Sequence, residues 1–252
     1  MERDIGIHEL LPCDILLYHG YSTTSRLIQW FDGSEYSHSS VFNGSVVTEA
    51  VPEGVVQRSV SESMAHTEYV EVYRLRKKGV FVGSPELPAE PVLRVISHYA
   101  SLHDRFAYEE VVLLALLCTT RRLPLPFLRG ILDSAAAVIA DMLDEGKQPM
   151  VCSELVYRCF AEASPAYRLR IRGVDLKSRI AGKLVELESR ALLSPSDRVV
   201  LDFFRLYAAA KKVLPEKEDL QMPGEPEADF VTPKDLKRSP DLVKIGRLIR
   251  PS

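Results

Sequence analysis

Tyr36-Ser-His-Ser-Ser-Val-Phe42, then Asn43-Gly44, then Ser45-Val-Val-Thr-Glu-Ala50 is the stretch on which the fold turns. Two runs of strand-forming residues flank Asn-Gly, the strongest short-range hairpin signal, because a type I′ turn needs positive φ at both central positions. A two-residue turn pairs Phe42 with Ser45, Ser40 with Val47 and His38 with Glu49. Side chains directly opposed on one sheet face have Cβ atoms about 4.5–5.5 Å apart, within reach of an imidazole–carboxylate hydrogen bond. The register therefore predicts a general base, His38, beside its orienting acceptor, Glu49.

Working outward, Asp14-Ile-Leu-Leu-Tyr18 reads as an earlier strand, and Ser22-Thr-Thr-Ser25 supplies N-cap residues for a helix over Ser25 to Phe31 that stops at Gly33. Period-2 alternation returns at Gly54 to Arg58 and at Tyr69 to Leu75, extending the same antiparallel sheet. Beyond the turn-rich Ser84 to Pro88, helical spacing sets in at Val92, Val95, Ile96 and Tyr99, again at Val111 to Cys118, and over Leu128 to Leu143. Residues 88–148 thus read as a helical insert. Gly146 to Pro149 breaks the pattern, and a new helix opens with Cys152 in its first turn and Leu155, Val156, Cys159 and Phe160 as its apolar stripe.

A further helix is expected around Asp197 to Lys212. The Pro- and Glu-rich stretch 215–229 reads as a mobile linker. Residues 230–252, with an extended run from Phe230 to Asp235, cap residues at Ser239 to Asp241 and an apolar finish from Val243 to Ile249, are expected to pack back on the core. The whole of 1–252 reads as one domain.

Composition narrows the function. In 252 residues, 46% hydrophobic, 32 Lys and Arg face 35 Asp and Glu, a net charge of -3, which argues against nucleic acid as a partner. The apolar run at Val111 to Cys118 falls well short of the roughly 20 residues that span a bilayer. Met1 to Leu11 lacks an apolar signal region, so the expectation is a cytoplasmic protein, or one exported without a Sec signal, with reduced thiols. No CxxC pair or Cys/His cluster has zinc spacing, and no cofactor is expected.

Of the four cysteines, Cys13, Cys118 and Cys159 read as packing residues, while a thiol at a helix start sits where unpaired N–H groups and the helix dipole favour a thiolate. Cys152, His38 and Glu49 together supply nucleophile, general acid/base and orienting acceptor, and the Cys152 backbone N–H is a candidate oxyanion donor. Taken singly, each has an ordinary structural role, since free cysteines are commonly buried and strand histidines commonly just hydrogen-bonded. Their conjunction brings the catalytic reading level with the structural one. His8, His66, His98 and His103 have no carboxylate partner that sequence can place; His19 could line the cleft. Arg121-Arg122 and the apolar Leu123 to Leu128 behind them admit peripheral lipid contact.

Cys13-Asp-Ile-Leu-Leu-Tyr18, Ser25-Arg-Leu-Ile-Gln-Trp30, Tyr36-Ser-His38-Ser, Val47-Thr-Glu49-Ala, Cys152-Ser-Glu-Leu-Val-Tyr157 and Val231-Thr-Pro-Lys-Asp-Leu236 with Ser239-Pro240 resemble the circularly permuted papain-like cysteine hydrolases of the NlpC/p60 superfamily, in particular the YiiX-like group. The resemblance implies an α+β permuted papain-like fold, with an antiparallel sheet packed against the nucleophile-bearing helix. It further implies Cys152 as nucleophile, His38 as catalytic histidine and Glu49 as the third member. Where the family opens with Gly-Asp, this chain has Cys13-Asp14. The expectation is a cysteine hydrolase that cleaves a peptide or isopeptide-like amide. The alternatives are a lipid acylhydrolase or acyltransferase resembling lecithin:retinol acyltransferase, and a non-catalytic lipid- or peptide-binding module.

Overall fold

The computed structural model describes residues 3–51, 54–101, 105–107, 115, 125–144, 148–171, 182–183, 185–212, 228 and 231–248. Along the chain run β1 (Asp4–Ile5), β2 (Ile15–Gly20), α1 (Thr23–Asp32), β3 (His38–Phe42), β4 (Val47–Val51), β5 (Gly54–Arg58), α2 (Val60–Ser63), β6 (Thr67–Lys77), β7 (Val80–Phe81), α3 (Glu90–Ser101), β8 (Arg105–Ala107), α4 (Leu125–Asp144), β9 (Gln148–Met150), α5 (Cys152–Ala161), α6 (Pro195–Lys212), α7 (Pro233–Arg238) and β10 (Leu242–Leu248). The fold is α+β. Its main sheet has eight strands in the order β1-β10-β6-β2-β3-β4-β5, with β7 paired to β6. Every neighbouring pair in it is antiparallel except β1 with β10.

Strand β2 shows why its sequence is continuously apolar rather than alternating. Ile15 and Leu17 join one buried cluster, which includes Cys152, Leu155, Val156 and Cys159 of α5. Leu16 and Tyr18 join another, with Val70, Val72 and Leu248. Both sides of the strand are covered, so each position wants an apolar residue. A third cluster lies between helices, where Ile28 and Phe31 of α1 meet Leu128, Leu132 and Ile139 of α4 and Phe203, Phe204 and Tyr207 of α6.

Helix α1 begins where its cap places it. The Ser25 N–H donates to Ser22 Oγ at 3.0 Å, and Gly33, at φ 63°, ends the helix with its N–H donating to the Gln29 carbonyl. The turn before β2 is less ordinary, because Cys13 sits at φ 71°, a left-handed conformation suited to glycine. The thiol there is fully buried. Beside it Asp14, also fully buried, accepts two hydrogen bonds from Arg74, at 2.6 and 2.7 Å, and one from the Leu11 N–H at 2.8 Å.

The structure corrects the hairpin. Its paired positions are Phe42 with Val47, Val41 with Thr48 and Ser40 with Glu49, so the loop has four residues rather than two. Asn43 accounts for the difference: its N–H donates to the Val46 carbonyl at 2.9 Å, while its Oδ1 accepts from the N–H groups of Ser45 and Val46 at 3.0 and 2.9 Å. An Asx-type turn has displaced the two-residue one.

Two further expectations change, and the apolar finish takes a definite form. The stretch from Phe230 to Asp235 is not an extended run in its described part: α7 starts at Pro233, with Thr232 and Asp235 exchanging capping hydrogen bonds and proline at the first helical position. Residues 88–148 are not purely helical, since β8 pairs in parallel with β9. The apolar finish is an internal strand, β10, lying between β1 and β6. A Cβ on Gly246 would stand 2.5 Å from the Arg3 carbonyl oxygen, so the close approach of β1 requires glycine there. Lys244 and Arg247 of β10 reach the buried Glu71 of β6 at 2.6 and 3.2 Å. The stretch 215–229, apart from Ala228, and Val111 to Cys118, apart from Ala115, lie outside the described residues.

Candidate active site

The site is built on the two central strands of the hairpin and the start of one helix. His38 opens β3, where its backbone pairs with Tyr18 of β2 and its ring lies 5.1 Å from the tyrosine ring, centroid to centroid. Glu49 on β4 faces Ser40 in the observed register, which puts it diagonal to His38 rather than opposite. The two-residue slip preserves the parity of the strand, so both side chains stay on the same face, and long side chains bridge a diagonal. His38 Nε2 lies 3.1 Å from Glu49 Oε2.

Glu49 is almost wholly buried and does not depend on one partner. Ser63, the last residue of α2, donates its hydroxyl to Glu49 Oε2 at 2.7 Å, and Arg58 Nε approaches Oε1 at 3.2 Å. Ser63 Oγ also lies 2.8 Å from Tyr18 Oη, itself 2.6 Å from Ser40 Oγ. Helix α2 is fixed by a capping box in which Ser59 and Glu62 bond to each other's backbone N–H. Burial pushes the Glu49 carboxyl upward, but the hydrogen bond and charge of His38, then Ser63 and Arg58, outweigh it and hold Glu49 below its ordinary value. The same surroundings favour the neutral phenol at Tyr18, through burial first and the charge of Glu49 second.

Cys152 is the first residue of α5. The Val151 N–H donates to Glu154 Oε2 at 3.3 Å, and the first full helical bond runs from Leu155 N–H to the Val151 carbonyl at 3.0 Å. Cys152 and Ser153 thus lie at the helix start, where backbone N–H groups lack partners within the helix. Helix α5 packs across β3 and β4, and Ser153 Oγ donates to the Val231 carbonyl at 2.7 Å, pinning the helix start to the C-terminal segment.

The imidazole records what has been brought together. Burial is the largest influence on His38 and acts to lower its pKa; the negative charge and hydrogen bond of Cys152, then those of Glu49, more than reverse this and raise it well above the ordinary value near 6.5. With Nε2 turned to Glu49, Nδ1 is the nitrogen left for the thiol. The arrangement favours the protonated ring, held between Glu49 and Cys152. The His38 side chain is 15% exposed and Cys152 only 2%, so solvent reaches the group from the imidazole side.

The remaining candidates stand apart. Cys13 and Cys159 are fully buried, and burial pushes the Cys13 thiol up to about 12 and Cys159 upward as well. His19 stacks on Tyr69, with Nδ1 2.6 Å from the Glu35 carbonyl oxygen and Nε2 3.4 Å from Glu68. Cys118, His103, Arg121 and Arg122 lie outside the described residues. Tyr18, Ser40, Arg58 and Ser63 were not singled out by sequence reasoning. Only Ser63 had a local signal, the capping-box spacing of Ser59 and Glu62 just before it. Among the described residues, no group of three or more His, Cys, Asp or Glu side chains is placed to hold a metal ion, and no helix is long and apolar enough to cross a membrane.

No family model matches the chain, and none of the curated proteins matches it in sequence. Among solved structures it is similar to the crystal structure of metalloprotein yiiX from Escherichia coli O157:H7, at 17% identity and a TM-score of 0.45, over 93% of this chain and 96% of that one.

Proposed function

We propose that the protein is a cysteine hydrolase of permuted papain-like type, in which His38 on an early strand serves a nucleophile, Cys152, that follows it in the chain. The observation that carries the reading is the His38 imidazole, whose Nε2 lies 3.1 Å from Glu49 and whose protonated form is favoured by the charge of Cys152. The Cys152 thiolate attacks the carbonyl carbon of an amide, and the N–H groups at the start of α5 stabilise the oxyanion. As the C–N bond breaks, His38 gives its proton to the departing amine and an acyl-thioester remains. Water then attacks the thioester while His38 takes its proton; the acid is released and the thiol regenerated. Glu49 holds the ring in the orientation that exposes Nδ1 to the sulfur.

Peptide or isopeptide-like amides are the proposed substrates. Alkylation with iodoacetamide across pH, read by peptide mass spectrometry, tests the mechanism. Selective labelling of Cys152 near neutrality, lost in His38→Ala, is expected. Equal labelling of Cys13, Cys152 and Cys159 overturns it, as does labelling of Cys152 that is unaffected by His38→Ala.

A further inference from the structure

A second concave site lies where the end of α1 meets α7. The cavity, of about 540 Å³, is lined by Gln29, Trp30, Gly33, Ser34 and Glu35 on one side and by Lys234, Lys237 and Arg238 on the other. Its volume falls in the range of small-molecule sites, about 300–1,000 Å³. Three cationic side chains line it against a single carboxylate.

The cations are not equally committed. Lys234 Nζ donates to the Asp32 carbonyl at 2.6 Å, which fixes its position, and its charge also acts on the buried Asp32 carboxyl. Lys237 pairs with Glu35 at 3.1 Å and lies over the Tyr36 ring, 5.1 Å from its centroid. Arg238 is exposed and forms no ion pair with a carboxylate among the described residues. Attraction to the negative end of α7 accounts for basic residues in its last turn. It does not account for their convergence on a cavity whose opposite wall carries an exposed indole.

Trp30 is 63% exposed, an unusual position for the largest apolar side chain, and its ring is braced edge-on against the buried Phe31 at 4.6 Å. A rigid aromatic face beside a cluster of cations suits a ligand that joins an anionic group to an apolar or planar portion.

We propose that this cavity binds a phosphate ester, with the phosphate held by Arg238, Lys237 and Lys234 and the esterified portion lying on Trp30. The same chemistry is presented by a soluble phosphomonoester and by an anionic phospholipid headgroup. The site is independent of Cys152 chemistry and stands whether or not Cys152 is a nucleophile.

Trp30 is the sole tryptophan of the chain, so intrinsic tryptophan fluorescence reports on this wall alone. The full-length protein is titrated with glycerol 3-phosphate, and separately with phosphatidylcholine vesicles containing or lacking phosphatidylglycerol. A saturable change with glycerol 3-phosphate assigns a soluble ligand; a change only with phosphatidylglycerol vesicles assigns the headgroup. In either case Arg238→Glu is expected to weaken binding about tenfold or more and Arg238→Gln about threefold, with further weakening as salt rises. No saturable response to either probe overturns the proposal, as does a response that both Arg238 variants leave unchanged.

Discussion

His38 and Glu49 meet across a diagonal of the β3–β4 ladder, Nε2 to Oε2 at 3.1 Å, because the hairpin closes around four residues instead of two. Their titrations move in opposite directions. Folding raises the His38 pKa, so its contribution to stability is fully present below the ordinary value near 6.5 and is lost as pH climbs through the raised folded value. Folding lowers the Glu49 pKa, so its contribution is present above the ordinary value near 4.5 and is lost as pH falls through the lowered one. The pair therefore stabilises most strongly between the two transitions. NMR titration of His38 should give a midpoint above 6.5 that moves down in Glu49→Gln and in Cys152→Ala. Urea midpoints against pH should lose the Glu49-linked acid drop in Glu49→Gln.

Cys13 occupies a conformation that costs a non-glycine residue roughly 1–2 kcal/mol. Cys13→Gly and Cys13→Ala both remove the buried thiol, and only the first relieves the backbone. Elsewhere alanine is the more stabilising of the two by reducing the freedom of the unfolded chain. Here Cys13→Gly should exceed Cys13→Ala by about 1 kcal/mol in urea unfolding, and equal stabilities would show that the left-handed turn imposes no strain.

Fully buried Asp14, just ahead of β2, accepts a two-point ion pair from Arg74 of β6, the strand beside β2 in the sheet. Removing one partner leaves the other charge desolvated, at a typical cost of about 3–5 kcal/mol. Arg74→Ala should lower stability by that order. The double variant Asp14→Leu with Arg74→Met should recover most of the loss, since two apolar side chains leave no charge unpaired. A double variant as unstable as the single one would mean that the pair's packing, rather than its charge, is what the fold needs.

Local signals were legible in the chain. Ser22 and Gly33 bracket α1, the change from period 3.6 to period 2 marks the hairpin, and Cys152 falls at the first position of α5. The proximity of His38 and Glu49 survived a wrong register because the error was even: a one-residue slip would have sent one side chain to the other face. Side-chain competition at Asn43 was invisible to the Asn-Gly rule, since its Oδ1 caps a wider turn equally well. Long-range pairings carried no local mark at all. Strand β10 meets β6 about 170 residues away in sequence, and Tyr18 reaches His38 only after α1 has crossed over. Ser63 enters the site through a short helix whose cap was readable but whose destination was not.

The proposed chemistry rests on transfer of an acyl group to Cys152 under the control of His38. The direct measurement is acid-quenched mass spectrometry of the full-length protein mixed with an activated acyl ester, with the modified peptide sequenced. An acyl mass is expected on Cys152 alone, decaying as the thioester hydrolyses and absent from His38→Ala. An unacylated Cys152, or an acyl group distributed among the cysteines irrespective of His38, would contradict it.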